Sequence, residues 1–331
     1  MNDKRNQLIS TSKIRAASRT LRLLMASFWL MVLLSLPAQG QQVLIVKSQI
    51  TPIHEEVIRG IRTSLESLSH PLTVAIRDVD DVDRGVLSAP SIRLVIVLGD
   101  QAARKLPPIE KPVLYTLIPQ HFYESLMACE IPCQENTQKD AHALYLDQPI
   151  ERILNLLRLV LPHASTVGII AGPFSSHKLK ELQRIARQKD LNLLHRTIEN
   201  EKQLAPTLNA LLQEIDVLLA LPDPMIHNRN TVPHLLLTTY RYSVPVIGFS
   251  RAYVTAGAIA AVYSTPAQMA RQISDFTSQF ISPGQRNLPG GSYYPAHFSI
   301  AVNSNVAQSM GLSLPDPTEL ETKLRKMQKA R

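Results

Sequence analysis

Short apolar runs of strand length and amphipathic stretches of helix length take turns along this chain from residue 43 onward. Residues 43–46, 72–76, 94–98 and 113–117 are the first four runs, and between the first two Val57, Ile61, Leu65 and Leu68 recur at helical spacing. Strand alternating with helix predicts parallel sheets joined by crossovers. A second series follows the turn at 145–149, where Asp147 is placed to cap an apolar helix over 150–161. Strands are expected at 167–170, 191–198, 217–221 and 244–248, with helices at 178–188 and 204–214. The remaining pieces are a strand at 258–263, a helix at 266–280, a strand at 297–302 and a short helix at 305–310. These are too few for a third domain, so they are expected to complete the first two by crossing between them. The fold class is therefore α/β, with two doubly wound lobes joined by several short crossings. The expected division is 41–145 plus 252–282 for one lobe and 146–251 plus 283–331 for the other. Pro/Gly breaks occur at 282–284 and 288–291, and no period of 20 to 50 residues repeats.

The first 40 residues stand apart from this pattern. Lys4, Arg5, Lys13, Arg15, Arg19 and Arg22 face a single acid, Asp3, and an apolar stretch over 23–36 ends at Pro37-Ala38-Gln39-Gly40. That order predicts a secretory signal cleaved after Gly40. A permanent anchor is the competing reading, but roughly 20 apolar residues are wanted to span a bilayer. Six of the 35 Lys and Arg and one of the 27 Asp and Glu lie in this leader, leaving 29 against 26. The net charge of +8 thus falls to +3, and the basic stripe that nucleic-acid binding needs is missing. The basic residues over 323–329 read as a solvated helix end. An exported chain places Cys129 and Cys133 in an oxidising compartment, where Cys-Glu-Ile-Pro-Cys reads as a local disulfide, with a redox or metal pair as the alternative.

Candidate chemistry concentrates between residues 216 and 263. Pro222-Asp223-Pro224 stops a buried-type strand, so Asp223 sits at its carboxyl end. A helix is expected from Thr231, with that residue as its N-cap, and the next strand ends at Phe249-Ser250-Arg251. Ligands of open α/β sheets lie beyond the carboxyl ends of the strands, which directs Asp223, Ser250 and Arg251 to one crevice. Asp223 is a candidate anchor for a ligand amine, or a cap that stiffens its turn. Ser175 and Ser176 are ligand hydroxyls or N-caps, Phe249 and Tyr253 are stacking surfaces or core, and Arg251 is a crevice cation or an ordinary surface residue.

In the order Leu221-Pro222-Asp223-Pro224, Val244-Pro245-Val246-Ile247-Gly248-Phe249-Ser250, Ala256-Gly257-Ala258 and Phe298-Ser299-Ile300-Ala301-Val302-Asn303, the chain resembles solute-binding proteins of ABC transporters related to tryptophan- and tyrosine-binding members. The resemblance is strongest over 143–315. It implies a type I periplasmic-binding-protein fold: two Rossmann-like lobes, three crossings and a ligand enclosed between them. It also implies ligand contacts at Ser48 after the first strand, at Gly99, Asp100 and Gln101, at Ser175 and Ser176, and at Ser250 and Tyr253. Asp100 departs from the Gly-Thr-x-Ala-Ala pattern, and a carboxylate there would repel an acidic ligand group. Residues 172–176 head a helix where backbone N–H groups could hold an anion. After the fourth strand stands Ile118-Pro119-Gln120 in place of aspartate-proline.

Catalysis finds no local signature, since neither Gly-x-Ser-x-Gly nor a phosphate loop occurs and His227 and His234 lack the spacing of a helical zinc pair. The expectation is a monomeric periplasmic protein without cofactor that captures a small polar or zwitterionic ligand for an ABC permease. The alternative is a sensing or accessory subunit of a receptor kinase or an outer-membrane uptake system. A hydrolase or metal site is the third reading.

Overall fold

The computed structural model describes residues 42–48, 51–68, 71–128, 140–282 and 291–329. The expected signal and the pair Cys129 and Cys133 lie outside the described residues.

The first series contains Gln42–Lys47 (β1), Pro52–Glu66 (α1), Thr73–Asp78 (β2), Arg84–Ser88 (α2), Ile92–Leu98 (β3), Asp100–Lys105 (α3), Val113–Ile118 (β4), Gln120–Met127 (α4) and Ala141–Tyr145 (β5). The second contains Ile150–Val160 (α5), Thr166–Ala171 (β6), Leu179–Arg187 (α6), Asn192–Thr197 (β7), Leu204–Leu211 (α7), Val217–Leu219 (β8), Thr231–Arg241 (α8), Val246–Gly248 (β9), Arg251–Ala256 (α9) and Ala260–Tyr263 (β10). The chain then runs through Pro266–Ile281 (α10), Ser292–Tyr293 (β11), Ser299–Val302 (β12), Ser304–Ser309 (α11) and Pro317–Lys329 (α12).

Two six-stranded sheets result, ordered β11-β5-β4-β3-β1-β2 and β12-β10-β9-β8-β6-β7. All pairings are parallel except β10 with β12. A parallel sheet needs apolar cover on both faces, which is why its strands read as continuous apolar runs. In β1, Val43 and Ile45 point to one core while Leu44 and Val46 point to another. The second sheet is likewise sandwiched between two cores.

Among the described residues, 252–282 and 291–329 each contribute to both sheets. β10 extends the second sheet, whereas α10 packs along α1 on the first. β11 then joins β5 in the first sheet before β12 returns to the second. Residues 260–263 pair with β9, and the apolar face of α10 is buried with α1. Three crossings follow, at 146–149, 264–265 and 294–298.

Side chains bind these crossings to one another. Gln148 Nε2 donates to Ser264 Oγ at 2.9 Å, and Ser264 Oγ donates to the His297 carbonyl at 2.7 Å. Arg152, 6 % exposed, donates to Gln148 Oε1 at 2.6 Å and to the Pro295 carbonyl at 2.7 Å. Its guanidinium and that of Arg325 on α12 each lie 4.5 Å from the Phe298 ring centroid. Burial, and Arg325 beside it, bring the Arg152 pKa down to about 10, so the group stays charged at neutral pH. Gln268 and Gln272 of α10 extend the network to Ser299 and to the Ala296 N–H.

Two caps differ from expectation. α5 begins after Pro149 with no side-chain cap, because the Asp147 carboxylate is engaged elsewhere. Thr231 lies inside the first turn of α8, where its hydroxyl donates to the Ile226 carbonyl at 2.6 Å. Among the described residues no helix is long and apolar enough to cross a membrane.

Phe298→Ala removes a fully buried ring that two guanidinium groups contact. Urea unfolding is expected to show a loss of about 3–5 kcal/mol.

Candidate functional site

Because the strands of each sheet are parallel, their carboxyl ends share one edge, and the order of each sheet reverses beside its first strand. The switch points lie between β1 and β3 in one lobe and between β6 and β8 in the other, where a doubly wound sheet opens a crevice.

On the first rim Ser48 follows β1 directly and is half-buried. Gly99 caps α3 with φ of +85°, a conformation that a side chain strains, and a Cβ there would meet His54 Nε2 at 3.2 Å. Asp100 and Gln101 are exposed in the first turn of α3, and Asp100 Oδ1 accepts from the Gln101 N–H at 2.9 Å. His54 stands against this turn, bonded to Thr51 Oγ1 through Nδ1 at 2.7 Å. Burial pulls its pKa below the usual histidine value, opposed by the Asp100 carboxylate.

The second rim is built around Asp223, which is 2 % exposed. Its Oδ2 accepts from the Phe174 N–H at 3.1 Å and from Ser175 Oγ at 2.8 Å, and its Oδ1 accepts from the Met225 N–H at 3.0 Å. The Asp223 carbonyl accepts from the N–H groups of Ile226 and His227. This buried carboxylate accepts three hydrogen bonds from its own lobe and so clamps two loops. The anion seat expected at 172–176 is likewise filled from within: Asp223 takes the Phe174 N–H, and the Gly172 carbonyl takes those of Ser175 and Ser176. Ser175 is fully buried, its hydroxyl accepting from the Gly172 N–H at 3.1 Å, while Ser176 is exposed. Gly172 permits the clamp, since a Cβ would lie 2.7 Å from Asp223 Oδ2.

Beyond β9, Ser250 Oγ caps α9 by accepting from the Tyr253 N–H at 3.1 Å, and Arg251 is exposed. Tyr253 is core, 4 % exposed, packed against Phe249 and His227 and bonded through its hydroxyl to His227 Nδ1 at 3.0 Å. Burial brings the His227 pKa down to about 4, and its Nε2 has no partner among the described residues.

The two rims touch. His121 of α4 stacks on His177 with ring centroids 4.8 Å apart, and it meets Phe174 edge-on at 6.4 Å. Lys178 forms an ion pair with Asp147, whose other oxygen accepts from the Gln120 N–H at 2.7 Å. Phe174 is 48 % exposed, unusual for a phenylalanine, and Leu146 of the first crossing is equally so. The sequence reading passed over His54, His121, His177 and Phe174 because no spacing rule joins them. The available signal was that each stands within a few residues of the carboxyl end of an apolar strand run. Among the described residues no group of three or more His, Cys, Asp or Glu is arranged to hold a metal ion.

Asp223→Ala leaves three donors without this acceptor, the Ser175 hydroxyl fully buried and the Phe174 and Met225 N–H groups partly so. Chemical unfolding is expected to show a loss of about 2–4 kcal/mol, whereas a ligand-only role would leave the midpoint unchanged.

Comparison with known proteins gives the same architecture. A conserved domain protein from Vibrio cholerae O1 biovar El Tor is 16 % identical, with 86 % of this chain and 98 % of that one aligned at a TM-score of 0.57. The ligand-free, open structure of CD0873, a substrate-binding protein with adhesive properties from Clostridium difficile, is 15 % identical over 83 % and 96 %, with a TM-score of 0.65. An ABC domain in complex with L-Trp from Streptococcus pneumonia is 15 % identical over 84 % and 96 %, at 0.56. At such identities the likeness establishes the fold, two lobes of the type I periplasmic-binding class. No curated protein matches the sequence. The family of ABC transporter substrate binding proteins matches residues 145–317, more than half of the chain, and the protein belongs to that family.

Proposed function

We propose that this protein captures a small polar or zwitterionic solute in the periplasm, between its two lobes, and delivers it to the membrane component of an ABC importer. The observation that carries this reading is the pair of facing strand-end rims, with an exposed carboxylate at Asp100 on one and an exposed guanidinium at Arg251 on the other. Asp223 is buried within the second lobe, whereas the exposed Asp100 is the rim acid to meet a ligand cation and Arg251 the group to meet an anion. Ser48, Gly99 and Gln101 line the first rim, and Ser176 and Ser250 the second. Ser175 and Tyr253 support the second rim from beneath. The tryptophan in the pneumococcal structure is a zwitterion of the kind such a pair would orient.

Capture requires that the closed arrangement bind the solute more tightly than the open one, because a ligand shifts a hinge only by its differential affinity. The lobes correspond to the two sheets with their covering helices, and the three crossings are the hinge. The leader at 1–40 supplies export. Solute binding without chemistry agrees with the character of the family.

Thermal denaturation in the presence of amino acids, nucleosides, vitamins and sugars tests the reading. A true ligand at about 100 times its Kd adds about 2.7 kcal/mol, which raises the melting temperature by several degrees. Asp100→Asn and Arg251→Gln are each expected to weaken that ligand about tenfold, a change of about 1.4 kcal/mol. A panel with no shift overturns capture of these solutes, and unchanged affinity in both variants overturns the orientation.

A further inference from the structure

Two imidazoles from opposite lobes meet where the rims touch. His121 stands in the first turn of α4 beyond β4, and His177 in the 3-10 turn Ser176–Lys178 beyond β6. Their centroids are 4.8 Å apart with planes inclined at 38°. Each is carried on a braced support. The first turn of α4 is tied to Asp147 through the Gln120 N–H, and the loop leading to His177 is tied to Asp223 through Phe174 and Ser175. Separating the rings therefore means separating the lobes. Lys178 and Asp147 pair beside them, with side chains only 12 % and 6 % exposed.

We propose that His121 and His177 form an acid-sensitive latch, which holds the lobes together while both rings are uncharged and releases them once either takes a proton.

Charges of both signs surround the two rings. His121 faces Asp147, Asp223 and Glu124 as anions and Lys178 as a cation, and His177 faces Asp147, Asp223, Lys178 and His121. Asp147 is paired with Lys178 and Asp223 is bonded to three donors of its own lobe; both carboxylates favour a charged ring, against burial and the Lys178 ammonium, which oppose it. Glu124 Oε1 already accepts from Gln120 Nε2 at 2.8 Å. Protonating one ring places its charge against the other ring and close to the Lys178 ammonium.

Burial lowers both pKa values, and His121 and Lys178 help bring His177 down to about 4. His177 is exposed and His121 half-buried, so parting the lobes frees only the faces that the two rings cover on each other, and moves both toward the ordinary value of about 6.5. Between pH ~6.5 and ~4 the parted form thus binds more protons, and falling pH shifts the balance toward it.

The latch needs only the two lobes and not any particular solute. Small-angle scattering of the purified, ligand-free protein between pH 7.5 and 4.5, with near-ultraviolet circular dichroism on the same samples, tests it. The radius of gyration is expected to rise reversibly as pH falls while the dichroism is retained. His177→Phe keeps a flat ring that cannot titrate and is expected to abolish most of the rise, and adding His121→Gln to abolish the rest. An unchanged radius in the wild type overturns the latch. So does an equal rise in the double variant, or a rise accompanied by lost dichroism, which would place the acid effect on the fold. Because no ligand is present, none of these results bears on solute capture.

Discussion

Where the chain passes three times between its lobes, the buried guanidinium of Arg152 binds the first crossing to the third, through Gln148 and the Pro295 carbonyl. Ser264 of the second crossing is bonded to both others. A buried charge is costly unless its hydrogen bonds are met, and Arg152 meets them with neutral acceptors and the face of Phe298 rather than with a carboxylate. An opposing carboxylate would have fixed a local ion pair. Neutral acceptors spread over separate crossings instead make the three strands of chain one unit, and the relation of the two rims depends on that unit.

The second rim shows the same use of internal partners. Asp223 occupies with its own oxygens the N–H groups that could have held an external anion, and so stiffens the loop that presents Phe174, His177 and Lys178 to the other lobe. Rigidity at the crevice is thus obtained with groups that look like ligand contacts in a one-dimensional reading. What stays exposed includes Asp100 and Gln101 on one side, Arg251, Ser176 and His177 on the other, and a half-exposed Phe174 near the point of contact. Such a distribution suits a site that closes by contact between lobes and recognises its occupant with few charges.

Much of the architecture was legible before any coordinates, because parallel strands covered on both faces leave unbroken apolar runs. Val43 to Val46 and Leu94 to Leu98 are of this kind, and the strands there match the reading closely. Less legible were short elements whose stability comes from neighbours. The two-residue β11 exists because β5 offers it an edge, and α9 because Ser250 caps six residues packed through Tyr253 and Val254. The division of 252–331 between lobes was also hidden, since apolar residues of α10 carry no mark of which sheet they will cover.

The sequence by itself determined two α/β lobes, the places where strands end, and hence the loops from which a site is drawn, since local apolar patterning and proline turns act within a few residues. Tertiary structure alone decided which polar side chains in those loops are spent and which remain. Asp223 and Ser175 are consumed because folding brings residues 172–175 beside 223–225, and His121 meets His177 because three crossings set one rim against the other. Hydrogen-bond satisfaction is a property of neighbours in space, and neighbours distant in sequence leave no periodic trace in the chain.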